Sequence, residues 1–210
     1  MADIVHYYAN LPLVEWLAVI SSLLYVILAA NNNIWCWPAA LVSTTLYTVI
    51  FYEFYLWSDS LLQVYYFAMA IYGWICWREH TANGNEKPLL AINQKTIGFH
   101  IKAILICGVI SLLVGWLMAN FTPTHFPYLD AVTTIFALFA TYLVTQKVVE
   151  NWLYWIAIDF VSIYLYIEKA LIPTAFLFGF FVVFATYGYF KWRRLLNITE
   201  EPTNYASSTG

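Results

Sequence analysis

Seven apolar stretches, each close to the length that crosses a bilayer, leave this chain little choice of fold. They cover residues 13–30, 34–54, 60–77, 97–118, 131–145, 152–167 and 171–190. A helix rises about 1.5 Å per residue, so about 20 residues cross a hydrocarbon layer about 30 Å thick. Only 10% of the residues are charged, where a soluble domain carries about 25%. The expectation is an all-α integral membrane protein with seven transmembrane helices. No Lys or Arg precedes the first apolar run, so it does not read as a cleaved signal peptide and is taken as retained.

Basic residues orient the chain. With a cytoplasmic C-terminus, Arg78, Lys87, Lys95, Lys102, Lys147, Lys191, Arg193 and Arg194 all lie inside, and only Lys169 lies outside. That asymmetry obeys the positive-inside rule and puts the N-terminus, with Asp3, outside, which in a bacterial inner membrane is the periplasm. Residues 78–95 read as a polar cytoplasmic linker and 120–130, with two prolines, as an outer loop. The polar tail reads as disordered.

The sixth span carries a polar stripe. Asn151, Trp152, Trp155, Asp159, Ser162 and Tyr166 recur at helical spacing, and from Trp152 onward they share one narrow face. A carboxylate inside a span costs roughly 2.5–3.5 kcal/mol on insertion scales, so a chain keeps one where it meets a cavity or a partner. Aromatic rings beside an acid are what would hold a flat cation. Gln63 and Tyr66 in the third span, Thr44 and Tyr47 in the second and Gln146 after the fifth complete the expected substrate site. Each has a plainer reading: belt tryptophans at the interface, a helix cap at Asn151, Thr hydroxyls bonded to their own backbone.

Sliding the chain by 115 residues aligns Tyr72-Gly73-Trp74-x-x-Trp77-Arg78 with Tyr187-Gly188-Tyr189-x-x-Trp192-Arg193. The same gapless shift pairs Trp37 with Trp152, Glu53 with Glu168 and Ala70 with Ala185; nine of the 42 positions from 37 to 78 are identical, and the motif is the persuasive part. Three helices per copy would invert the second copy, and the fourth span restores its direction. The plan is therefore 3+1+3 with parallel repeats, the arrangement of SWEET transporters. Residues 1–80 form the first three-helix repeat, 81–130 the linker, connecting fourth helix and outer loop, 131–195 the second repeat, and 196–210 the disordered cytoplasmic tail. Thr44 becomes the counterpart of Asp159, and Tyr47 that of Ser162.

At these residues the chain resembles the Pnu-type vitamin transporters, the family of PnuC and PnuT. The resemblance covers nearly all of 13–194 and rests on Ser60-Leu61-Leu62-Gln63-Val64, Ile71-Tyr72-Gly73-Trp74-x-x-Trp77, Val149-Glu150-Asn151-Trp152-x-x-Trp155, Tyr187-Gly188 and the basic cluster 191–194. It implies a full-length SWEET-like fold, a homotrimer, and facilitated diffusion of a small cationic aromatic vitamin that a cytoplasmic kinase then traps by phosphorylation. Asp159 departs from the Asn common in the PnuC branch; on that ground thiamine is the expected substrate, with nicotinamide riboside the alternative and proton-coupled vitamin or nucleoside transport a second one.

Other chemistries find no residues to carry them. His6, His80, His100 and His125 lie at span ends or in loops; there is no HExxH and no phosphate-binding G-x-x-x-x-G-K-[ST]. Cys36, Cys76 and Cys107 read as small buried hydrophobes without metal-ligand spacing. No enzyme activity, metal, cofactor or nucleic-acid partner is expected. A retinal protein would need a lysine in the middle of the last span, and residues 171–190 contain none. A binding subunit driven by a separate ATPase is the remaining alternative, and a duplicated bundle argues against it.

Overall fold

The computed structural model describes residues 13–53, 57–82, 90–168 and 172–207. The expected periplasmic N-terminus, the middle of the linker with Lys87, and Lys169 and Leu171 lie outside the described residues. Seven helices occupy the rest: α1 Leu13–Ala30, α2 Cys36–Glu53, α3 Trp57–Ala82, α4 Ile97–Phe121, α5 Pro127–Thr145, α6 Asn151–Glu168 and α7 Ile172–Ser207.

Local chemistry sets several of the boundaries. Thr96 caps α4, its side chain accepting from the Phe99 N–H at 3.3 Å. Proline opens α5, where its missing N–H costs nothing, and Asp130 sits in the first turn, where the helix dipole favours an anion. The outer loop is therefore shorter than expected. α7 runs on to Ser207. Leu196 is buried in the core and Leu195 packs against it, so burial carries the helix past the apolar run.

By length and composition, four helices are apolar enough to cross a membrane: α1, α4, α5 and the Thr174–Ile198 part of α7. Two of the remaining helices carry buried polar residues. Ser43 and Thr44 lie in α2, and Asn151, Asp159 and Ser162 lie in α6. Their spans are legible from position in the chain more than from hydropathy.

The packing order explains where those polar residues go. α1 packs on α2, α2 on α3, α3 on α5, α5 on α6, α6 on α7, and α7 returns to α1. Six helices thus close a ring around a lumen, and α4 stands outside it against α5. In this ring α2 faces α6, α3 faces α7 and α1 faces α5.

The main core cluster plugs one end of the ring, the end where α1 and α5 finish and where Lys147, Arg78 and Lys191 lie. It gathers Ala29, Ala30, Cys36, Trp37, Trp77, Val144, Val149, Trp152 and Trp192. The linker is stitched to the same end. Asn93 and Val148 form a parallel bridge: the Asn93 N–H donates to Lys147 O at 3.0 Å, and the Val149 N–H donates to Asn93 O at 2.8 Å. Ile92 beside it is buried in the core.

Candidate functional site

Three of the expected residues converge halfway along the lumen. Asp159 is 3% exposed and lies about 12 Å into α6 from the plugged end, taking 1.5 Å per residue. Among the described residues, no cation stands within ion-pair distance of it. The Tyr66 phenol on α3 lies within electrostatic reach of the Asp159 carboxylate, and Tyr25 on α1 lies within reach of Tyr66. Trp155 and Tyr66 both pack on the small cluster of Ala137, Ala140 and Ile158. Ser162, one turn beyond Asp159, is also buried. An acid, two phenols and an indole drawn from α1, α3 and α6 therefore share the interior. That set can stack a flat ring, accept from its donors and balance a positive charge.

Most of the other expected site residues have protein partners. Trp152 lies in the plug, 3% exposed, in T-shaped contact with Trp192 at 5.4 Å and packed against Gly188. Asn151 is fully buried at the same end, donating to Val148 O at 2.6 Å, while its Oδ1 meets no partner. Gln146 caps α5 and donates to the Tyr72 hydroxyl at 3.2 Å, near the helix ends and not in mid-lumen. The Thr44 hydroxyl donates to Ala40 O of its own helix at 2.8 Å. Tyr47 stacks on Phe51 at 5.5 Å and Tyr166 on Phe178 at 5.2 Å. Gln63 is half-buried on α3, one turn from Tyr66. A groove of about 270 Å³ lined by Ile71, Trp74, Ile75 and Arg78 lies along α3 alone and includes none of the Asp159 set.

The plug itself is built twice. Trp37 rests against Gly73 and meets Trp77 edge-on at 5.2 Å; Trp152 rests against Gly188 and meets Trp192 edge-on at 5.4 Å. The Trp77 indole donates to Thr145 O at 3.2 Å, and the Trp192 indole to Ala29 O at 3.1 Å. Asn32 and Lys147 both adopt positive φ, 52° and 51°. Gln146 bonds Tyr72 where Asn31 bonds Tyr187. Each pair follows the 115-residue offset, save that Ala29 and Thr145 are one position out of register. Trp77 and Trp192 come from facing helices that make no backbone contact, yet their rings lie 6.1 Å apart across the lumen.

These lumen-crossing indoles, and Lys147 beside them, fall outside the set of residues expected at the site. The repeat itself carries the signal that could have found them, because Trp37, Trp77, Trp152 and Trp192 are all retained at the offset.

Comparison with known proteins places this geometry. Residues 12–194 match the family described as nicotinamide mononucleotide transporter. The nicotinamide riboside transporter PnuC of Escherichia coli (strain K12) is 29% identical over 181 residues, covering 75% of each chain. The protein of the same name from Haemophilus influenzae is 25% identical over 192 residues, 88% of this chain and 82% of its own. A crystal structure of the vitamin B3 transporter PnuC superposes with a TM-score of 0.74 at 20% identity, covering 93% of this chain and 86% of that one.

Proposed function

This chain belongs to the nicotinamide mononucleotide transporter family, whose members are membrane transporters and not enzymes, and from that premise we propose that it takes up nicotinamide riboside. The observation that carries the substrate is the naming of its relatives for nicotinamide riboside, which reverses the preference for thiamine drawn from Asp159. The site suits the riboside: a flat pyridinium stacks on Trp155 and Tyr66, Asp159 balances its charge, and Ser162 and Gln63 are placed to bond a carboxamide or ribose hydroxyl.

The transport route follows the ring. We read the chain as a 3+1+3 parallel repeat of SWEET type, a reading supported by the duplicated plug and by α4 standing outside the ring. The plugged end, rich in Lys and Arg, faces the cytoplasm. Rocking of the two three-helix bundles alternates access to Asp159. Transport is facilitated diffusion, a cytoplasmic kinase traps the product by phosphorylation, and the protein assembles as a homotrimer.

Purified protein titrated calorimetrically with nicotinamide riboside, thiamine and nicotinamide tests this reading. Nicotinamide riboside should bind, and Asp159→Asn should weaken it tenfold or more. If thiamine binds instead, the substrate assignment is wrong. Unchanged affinity in the variant would remove Asp159 from the site.

A further inference from the structure

Lys147 brings a charge to the plug. Its side chain is 7% exposed, and its ammonium sits 4.4 Å above the centre of the Trp77 ring. Among the described residues, no carboxylate lies within ion-pair distance of it. Its backbone is left-handed, which costs a residue with a Cβ roughly 1–2 kcal/mol. The same turn in the first repeat holds Asn32, a residue that tolerates this conformation and carries no charge. The chain therefore keeps a strained, largely buried cation in one copy of a duplicated element.

Magnitudes decide which way that cation pushes. A cation–π contact returns only part of the solvation an ammonium loses on burial. The burial term wins, so the closed plug holds Lys147 at a net loss. Burial pushes its pKa down to about 8, leaving it charged at neutral pH. Whatever passes down the lumen must part Trp77 and Trp192, which meet across it, and Lys147, on the loop joining α5 to α6, covers the Trp77 ring of that pair. When the pair parts, the ammonium gains water.

We propose that the Trp77–Trp192 pair is the barrier at this end of the lumen and that the buried Lys147 ammonium loads it toward opening. The proposal rests on the transport reading for what passes the barrier, but not for the loading itself. The device is one-sided by construction, since Asn32 leaves the other copy neutral.

Two variants and two readouts test it. Lys147→Met keeps much of the side-chain volume and removes the charge; Lys147→Arg keeps a cation that can also cover the Trp77 face. Amide hydrogen exchange of residues 74–78 and 145–152 reports opening without any substrate. Counterflow of nicotinamide riboside in proteoliposomes reports the transport cycle. The expected result is exchange and counterflow slowed threefold or more in Lys147→Met, a raised thermal midpoint, and wild-type behaviour in Lys147→Arg. Unchanged or faster exchange in Lys147→Met overturns the proposal, as does a lowered midpoint, which would mean that the charge holds the plug shut. If wild-type protein fails to move nicotinamide riboside, the substrate reading falls, and the exchange data still decide whether Lys147 loads the barrier.

Discussion

Asp159 and Lys147 are both buried without an ion-pair partner among the described residues, yet their surroundings give them different work. Asp159 lies within reach of the Tyr66 phenol inside the ring, where, in the function proposed above, an arriving cation supplies the missing charge. Lys147 faces a ring in the plug, and only motion of the plug relieves it. Its pKa makes a residue-scale prediction with a definite sign. The folded value is about 8 and the ordinary value 10.5, so between these pH values the unfolded chain holds a proton that the folded chain has released. Stability therefore rises with pH across that window. The thermal midpoint in detergent should climb from pH 8 toward 10 in wild type, and this component should be absent in Lys147→Met. A flat profile in both proteins would show that the ammonium is solvated in the folded state.

Helices α3 and α7 each carry a glycine that functions as a notch. A Cβ built at Gly188 would lie 2.7 Å from the Trp152 ring, and one at Gly73 would overlap the Trp37 ring still more closely. Overpacking of this kind costs typically 1–3 kcal/mol. Gly73→Ala and Gly188→Ala should each lower the thermal midpoint, and pairing each with the facing Trp→Phe should recover part of the loss. Without recovery, the glycines would be acting on helix conformation and not on ring packing. In the sequence, Gly73 and Gly188 stand out only as repeated letters of a motif. Their partners are 36 residues away in the chain, so the notch becomes visible only when α2 lies on α3 and α6 on α7. Trp152 shows the opposite case. Helical spacing puts it on the Asp159 face, but depth along the lumen separates the two by two turns, and its ring is absorbed by Gly188 and Trp192.

At the scale of the whole molecule, the α1–α7 and α3–α5 seams join the two halves of the ring. Asn31 on one side of the first seam accepts a hydrogen bond from Lys191, and from the Tyr187 hydroxyl at 3.4 Å. Cysteines at 31 and 191, in a chain whose three native cysteines are replaced, should stop transport when bridged by a short thiol cross-linker and restore it when the bridge is cleaved. Transport that survives the bridge would mean that this seam stays closed through the cycle. Apolar run length and helical spacing were enough to point to seven helices and to an acid at Asp159 turned away from the surface. Those properties are periodic or additive along the chain, so a linear sequence contains them. Which of the stripe residues share a space with Asp159, which are consumed by packing, and that two tryptophans from facing helices meet across a lumen depended on the closure of the ring. Contact between α3 and α7 joins residues 115 positions apart, and no local pattern specifies a distance that only six packed helices create.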